Sequence, residues 1–120
     1  MKHIEDDLQA ACVRWYSYQY SAKRDLLFAI PNGGKRNVRE AARMKLQGVR
    51  AGVPDLMLAV PSGRGGSYNG FFIEMKSEKG QLTAHQKDMQ KRLSQMGYKT
   101  AVIRSVVEFV MLVTEYLGED

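Results

Sequence analysis

One cysteine, two histidines and no long apolar run mark this chain of 120 residues, and each scarcity excludes a class of protein. Cys12 has no intramolecular disulfide partner, so the fold does not depend on an oxidising compartment. His3 and His85 stand far apart, one near the terminus and one in the first turn of an expected helix, so neither a zinc cluster nor a histidine-based nuclease can be built from them. No apolar stretch approaches the roughly 20 residues of a membrane span. The start, Met1-Lys2-His3-Ile4-Glu5-Asp6-Asp7, turns acidic where a signal peptide needs an apolar run. The expectation is a soluble cytoplasmic protein with no membrane partner. The glycine-rich loop around Arg64 lacks the spacing of a phosphate-binding P-loop. There is no internal repeat, low-complexity segment or linker, which suggests one domain over residues 1–120.

Hydrophobic residues make up 44% and charged residues 26%, a globular composition rather than a disordered one. Lys and Arg number 18 against 13 Asp and Glu, a net charge of +5 that favours polyanionic partners such as nucleic acid.

Ile4, Leu8, Ala11, Cys12 and Trp15 recur at helical spacing over residues 4–20, with Glu5, Gln9 and Tyr16 on a second stripe. Cys12 is expected in the core, and Trp15, Tyr16, Tyr18 and Tyr20 read as packing or interface residues rather than a base-stacking platform. The run 26–30 reads as a strand closed by the turn Pro31-Asn32-Gly33-Gly34. Residues 38–50 have helical character, with Val38, Ala41, Ala42, Leu46 and Val49 spaced for one face, and Gly52 and Pro54 expected to stop the helix. The run 55–60 suggests a strand buried on both faces, and loop 61–70 would join it to an antiparallel partner at 71–76. The capping box Thr83-Ala84-His85-Gln86 opens a helix ending at Gly97. A strand at 98–103 and a last helix marked by Val106, Phe109, Val110, Val113 and Leu117 complete an α/β order with a mixed sheet.

Two acids stand where hydrophobicity would not put them: Asp55 begins an apolar strand and Glu74 sits inside another. Removing a carboxylate from water costs several kcal/mol unless it is compensated, and a divalent cation is the simplest compensation. Hard Mg²⁺ takes oxygen ligands, often one or two carboxylates with waters and a substrate phosphate. Lys76 shares a strand face with Glu74, about 7 Å along the backbone, and could reach the same phosphate. The plainer alternative is that Asp55 caps a turn after Pro54 while Glu74 and Lys76 form an ordinary ion pair. The convergence of acid, acid and lysine on neighbouring apolar strands favours the metal site.

These residues carry a resemblance. Gly52-Val53-Pro54-Asp55-Leu56 followed by Ile73-Glu74-Met75-Lys76 resembles the PD-(D/E)XK nuclease signature, and more closely that of the VRR-NUC (virus-type replication–repair nuclease) family. Also similar are Ile4-Glu5-Asp6-Asp7-Leu8-Gln9, Ala29-Ile30-Pro31-Asn32-Gly33-Gly34-Lys35-Arg36, Gly48-Val49-Arg50-Ala51-Gly52, Lys79-Gly80-Gln81-Leu82-Thr83 with Gln86, and Gly97-Tyr98. The bare PD…ExK pattern is common by chance, whereas this ordered set, running over about residues 4–104, is specific. The resemblance implies a restriction-endonuclease-like mixed β-sheet flanked by helices. It implies Asp55 and Glu74 as metal ligands with the main-chain carbonyl of Met75, and Lys76 activating water or stabilising charge on the phosphate. Glu5 would complete the site through a water on the metal, and Gln86 would orient substrate or water. From the residues alone, Glu5 is equally a first-turn acid suiting the helix dipole, and Gln86 equally the third residue of a capping box.

Between Lys35 and Arg50 lie six basic residues and one acid. A charge run is usually a solvated helix face; lying just before Pro54-Asp55, this one is read as a DNA contact made by Lys35, Arg36, Arg39, Arg43, Lys45 and Arg50. Asn32-Gly33-Gly34 would let the backbone approach a phosphate closely. The expected function is a Mg²⁺-dependent DNA endonuclease, with Mn²⁺ able to substitute, acting on branched DNA and Holliday junctions in particular. A homodimer would present two sites to two strands, with Val107, Met111 and Leu112 of the last helix at its interface. The rivals are a nicking or flap nuclease of replication or repair, and a non-catalytic nucleic-acid-binding module.

Overall fold

The computed structural model describes residues 3–31, 37–63 and 66–118. The turn at Asn32-Gly33-Gly34, the cations Lys35 and Arg36, and Arg64 lie outside the described residues. The elements follow the expected order: α1 (Ile4–Gln19), a 3-10 turn (Ser21–Leu26), β1 (Leu27–Ala29), α2 (Val38–Leu46), β2 (Leu56–Leu58), β3 (Phe71–Met75), α3 (Ala84–Gln95), β4 (Lys99–Ile103) and α4 (Val106–Leu117). The four strands form one mixed sheet in the order β1-β2-β3-β4, the first two pairings antiparallel and the last parallel. The parallel pair needs a crossover, which α3 supplies.

Alternation along β3 divides the core. Phe71, Ile73 and Met75 join Leu56, Leu58 and Ile103 on one face, covered by Cys12 and Tyr16 of α1 and by Phe109, Val113 and Leu117 of α4. Each large side chain removed from water here contributes about 1.5–3 kcal/mol. Phe72 and Glu74 point to the other face, where α3 lies against β4. The whole of β3 is buried, as a central strand covered on both sides must be.

Some expectations hold and others are corrected. On α1, Cys12 enters the core and Leu8 and Trp15 pack against it as the expected stripe requires, but Ile4 is half exposed and Tyr16, from the second stripe with Gln9 and Glu5, is fully buried. Burial lifts the Cys12 thiol to about 11, which makes it an inert core residue. Trp15 packs edge-on against Tyr20 and Phe109, while Tyr18 is 84% exposed. Helix α2 ends at Leu46 and not near Arg50: Gly48, at φ +102°, closes it as the Val49 amide donates to the Met44 carbonyl at 3.0 Å. No residue of α2 is buried, and Val38 and Leu46 are almost fully exposed. On α4, Leu112 packs partly on the core, leaving Val107 and Met111 as the exposed apolar residues. No helix among the described residues is long and apolar enough to cross a membrane.

Candidate active site

Sheet register brings the two acids together. Strands β2 and β3 pair antiparallel with Leu56 opposite Ile73, so one step further Asp55 falls opposite Glu74 on the same face. Asp55 caps no turn. Its Oδ2 accepts the Met75 N–H at 2.7 Å, and its carbonyl accepts the Ile30 N–H at 2.8 Å, which ties it to the strands on both sides.

Glu74 is 3% exposed. Burial chiefly, then the charge of Asp55 and a hydrogen bond between the two side chains, raise its pKa to about 8; Glu5 adds to the rise and Lys76 opposes it. Two carboxyl groups can share a hydrogen bond only with a proton between them, so the pair holds a proton whose place a cation could take. Lys76 lies just past β3 with its Nζ 4.0 Å from Glu74 Oε2, and its side chain is also largely buried.

Gln86 makes two sets of contacts. Its Oε1 accepts the Thr83 N–H at 2.9 Å and its main-chain N–H donates to Thr83 Oγ1 at 3.1 Å, completing the capping box. Its Nε2 donates to Glu74 Oε2 at 3.1 Å. The start of α3 is thus docked onto the acid pair, and Gly52 makes the approach possible. At φ +84°, a Cβ on Gly52 would stand 2.3 Å from the His85 carbonyl oxygen.

Glu5 arrives from the other side. The buried α1 stripe runs back from Tyr16 and Cys12 through Gln9 to Glu5, so packing of the helix aims that carboxylate at the end of β3. There Glu5 Oε2 accepts the Ser77 N–H at 3.0 Å, a tie across 72 positions of sequence that a solvated first-turn acid would not make. Asp6 and Asp7 are exposed. Among the described residues no group of three His, Cys, Asp or Glu is arranged to hold a metal. The acidic centre is the pair Asp55 and Glu74, with Glu5 joined through the main chain.

A family comparison matches residues 2–107 to the VRR-NUC domain. The chain belongs to the VRR-NUC family. This is a nuclease-type domain. One solved structure, described as a VRR-NUC domain protein, is 27% identical and superimposes with a TM-score of 0.80 over 95% of this chain and 88% of its own. Another, described as a VRR-NUC domain, is 21% identical with a TM-score of 0.59 over 94% and 97%, a likeness of fold alone. No protein of curated function matches. The mixed four-stranded sheet flanked by helices is the fold expected from the sequence.

Beside the acids of this VRR-NUC domain lies a cleft of about 430 Å³, walled by Ala41, Met44 and Lys45 of α2 and reaching Asp55 and Gln86. The cations Arg39, Arg43 and Lys45 are exposed on α2. Arg50 differs from them, because its Nη1 donates to the Lys45 carbonyl at 2.9 Å and so caps the helix. Two residues of the surroundings carry no signal in the sequence. Ser77 enters through its amide, which any residue but proline possesses, and Arg104 reaches the Ser77–Gly80 turn from 24 to 27 positions away.

Proposed function

We propose that this chain is a Mg²⁺-dependent DNA endonuclease, selective for branched DNA and for four-way Holliday junctions above all, and active as a homodimer. The observation that carries the reading is the pairing of Asp55 with a Glu74 whose pKa is raised to about 8, with Lys76 Nζ 4.0 Å from that carboxylate. The donor set fits a hard dication, because two crowded carboxylates lose their repulsion when one binds. Asp55, Glu74 and the Met75 carbonyl would hold Mg²⁺, or Mn²⁺ in its place. The ion would lower the pKa of water and offset phosphate charge.

The protein's own groups complete the chemistry. Lys76 stabilises negative charge growing on the phosphorus-bound oxygens. Gln86 holds one Glu74 oxygen in place and orients substrate or water, and Glu5 closes the opposite side. Lys45 and Arg50, which line the cleft, attract the phosphates together with Arg39, Arg43, Lys35 and Arg36. A symmetric pair of small domains would present two such sites to a junction, and the exposed Val107 and Met111 on α4 suit the shared face.

The test is incubation of purified protein with a labelled four-way junction and a linear duplex, with Mg²⁺, Mn²⁺ or EDTA, for wild type and Asp55→Asn. Metal-dependent cutting of the junction by the wild type, lost in Asp55→Asn, is expected. Binding without cutting would overturn the enzyme reading, equal cutting of linear duplex the junction preference, and a monomeric mass on gel filtration the dimer.

A further inference from the structure

A single guanidinium nitrogen meets three main-chain carbonyls. Arg104 Nη1 donates to Ser77 O at 2.8 Å, Glu78 O at 3.2 Å and Gly80 O at 2.7 Å. The same turn is closed by the Gly80 N–H on Ser77 O at 3.1 Å. Carbonyl dipoles converging on one point repel one another, and a fixed cation with several donors turns that repulsion into attraction. Arg104 is itself anchored, its amide donating to Glu108 Oε1 at 2.6 Å on α4.

The clamped turn touches the site at two places. Its first residue supplies the Ser77 N–H that binds Glu5. Its last, Gly80, lies so close that a Cβ there would come within 3.4 Å of both Glu5 Oε2 and Lys76 Cδ. We propose that Arg104 is a positioning residue for cleavage: by clamping the 77–80 turn, it fixes the amide that holds Glu5 and the wall beside Lys76. Arg104 touches no reacting atom. The inference rests on the nuclease reading of Asp55, Glu74, Lys76 and Glu5.

The experiment compares wild type, Arg104→Met and Arg104→Lys by junction cleavage and by amide hydrogen exchange. In Arg104→Met, kcat falls about 10- to 100-fold, while KM for the junction changes less than about threefold. The Ser77 amide exchanges at least about tenfold faster, while amides in β3 and β4 keep their protection. Arg104→Lys, which keeps a cation on the turn, recovers part of both losses. Adding Glu5→Gln to Arg104→Met lowers kcat by no more than about threefold below the worse single variant, since both break one link.

Unchanged Ser77 exchange in Arg104→Met overturns the clamp, and equal acceleration of all amides reduces Arg104 to general stability. Should Arg104→Met not fold, Arg104→Lys carries the test, with smaller changes in the same direction at Ser77 and in kcat. If the wild type cuts no DNA, the nuclease reading fails and the positioning role with it, while Ser77 exchange still decides whether Arg104 holds the turn.

Discussion

Helix α2 and the acid pair carry most of the charge bearing on function, and they are built in opposite ways. Asp55 is bonded to Met75, Glu74 to Gln86 and Glu5 to Ser77, each across strands or helices that the core holds in place. Helix α2 buries no residue, and its cations stand in solvent. Bond-making at phosphorus needs groups fixed within fractions of an ångström, which packed strands and a capped helix provide. Attraction of a polyanion acts over about a Debye length, near 8–10 Å, and tolerates a loosely placed helix. The acid corner is therefore expected to govern turnover, and α2 to govern binding.

The sharpest way to break this division is at the acids. If Asp55 and Glu74 hold the proposed Mg²⁺, Asp55→Asn or Glu74→Gln removes one of its ligands, so cleavage should fall by on the order of 10²-fold or more, with junction affinity in EDTA nearly unchanged. Affinity falling in step with rate would merge the two regions. Lys76→Met follows, with a loss of about 10²- to 10³-fold if the ammonium meets transition-state charge.

Glu74→Gln also tests the cost of the acid pair. Between about pH 4.5 and 8 the metal-free folded protein holds a proton on Glu74 that the unfolded chain releases, so wild-type stability falls as pH rises through that window and levels off above it. The variant has no such decline. In EDTA at pH 9 its Tm should exceed the wild type's by several degrees, since about 1 kcal/mol moves Tm by ~4 °C in a domain of this size. The gain should vanish near pH 5. A constant Tm difference across pH would show that burial and the neighbouring Asp55 do not raise the Glu74 pKa.

A smaller effect belongs to α2. Arg39→Ala or Arg43→Ala should weaken DNA binding and lower the salt slope by about 1 each, with kcat unchanged. Arg50→Ala should lower the slope less, because this guanidinium caps α2. Equal slopes for all three would place Arg50 on the phosphates as well.

What was readable in the sequence follows the same division. Asp55, Glu74 and Lys76 could be placed because strand alternation is a strict period of two and a buried acid is conspicuous among apolar neighbours. Thr83 and Gln86 announced α3 because a capping box is a local pattern. The α1 spacing marks Leu8, Cys12 and Trp15 correctly but leaves Tyr16 on an adjoining stripe, and only packing against the sheet decides that Tyr16 also goes in and carries Glu5 with it. Val49 continues the apolar spacing and so predicts a helix reaching residue 50, whereas the left-handed turn at Gly48 closes α2 with Leu46 as its last residue. The Arg104 clamp was invisible because its acceptors are main-chain carbonyls, which any sequence supplies.

The least effect on rate should come from Thr83, and it separates the two functions of Gln86. Thr83→Ala removes the hydroxyl that accepts the Gln86 amide, costing about 1 kcal/mol of stability as lost N-caps do. It leaves the main-chain N–H at that position still donating to Gln86 Oε1, and Nε2 still directed at Glu74. Cleavage should therefore change by less than about twofold. Gln86→Glu does the reverse, because a glutamate at this position still accepts the Thr83 N–H but sets a further carboxylate against Glu74. That variant should keep most of the cap's stability and lose far more activity than Thr83→Ala. If thermal denaturation and single-turnover cleavage move together in both variants, Gln86 serves the helix alone, and the link from α3 to the acid pair has no part in turnover.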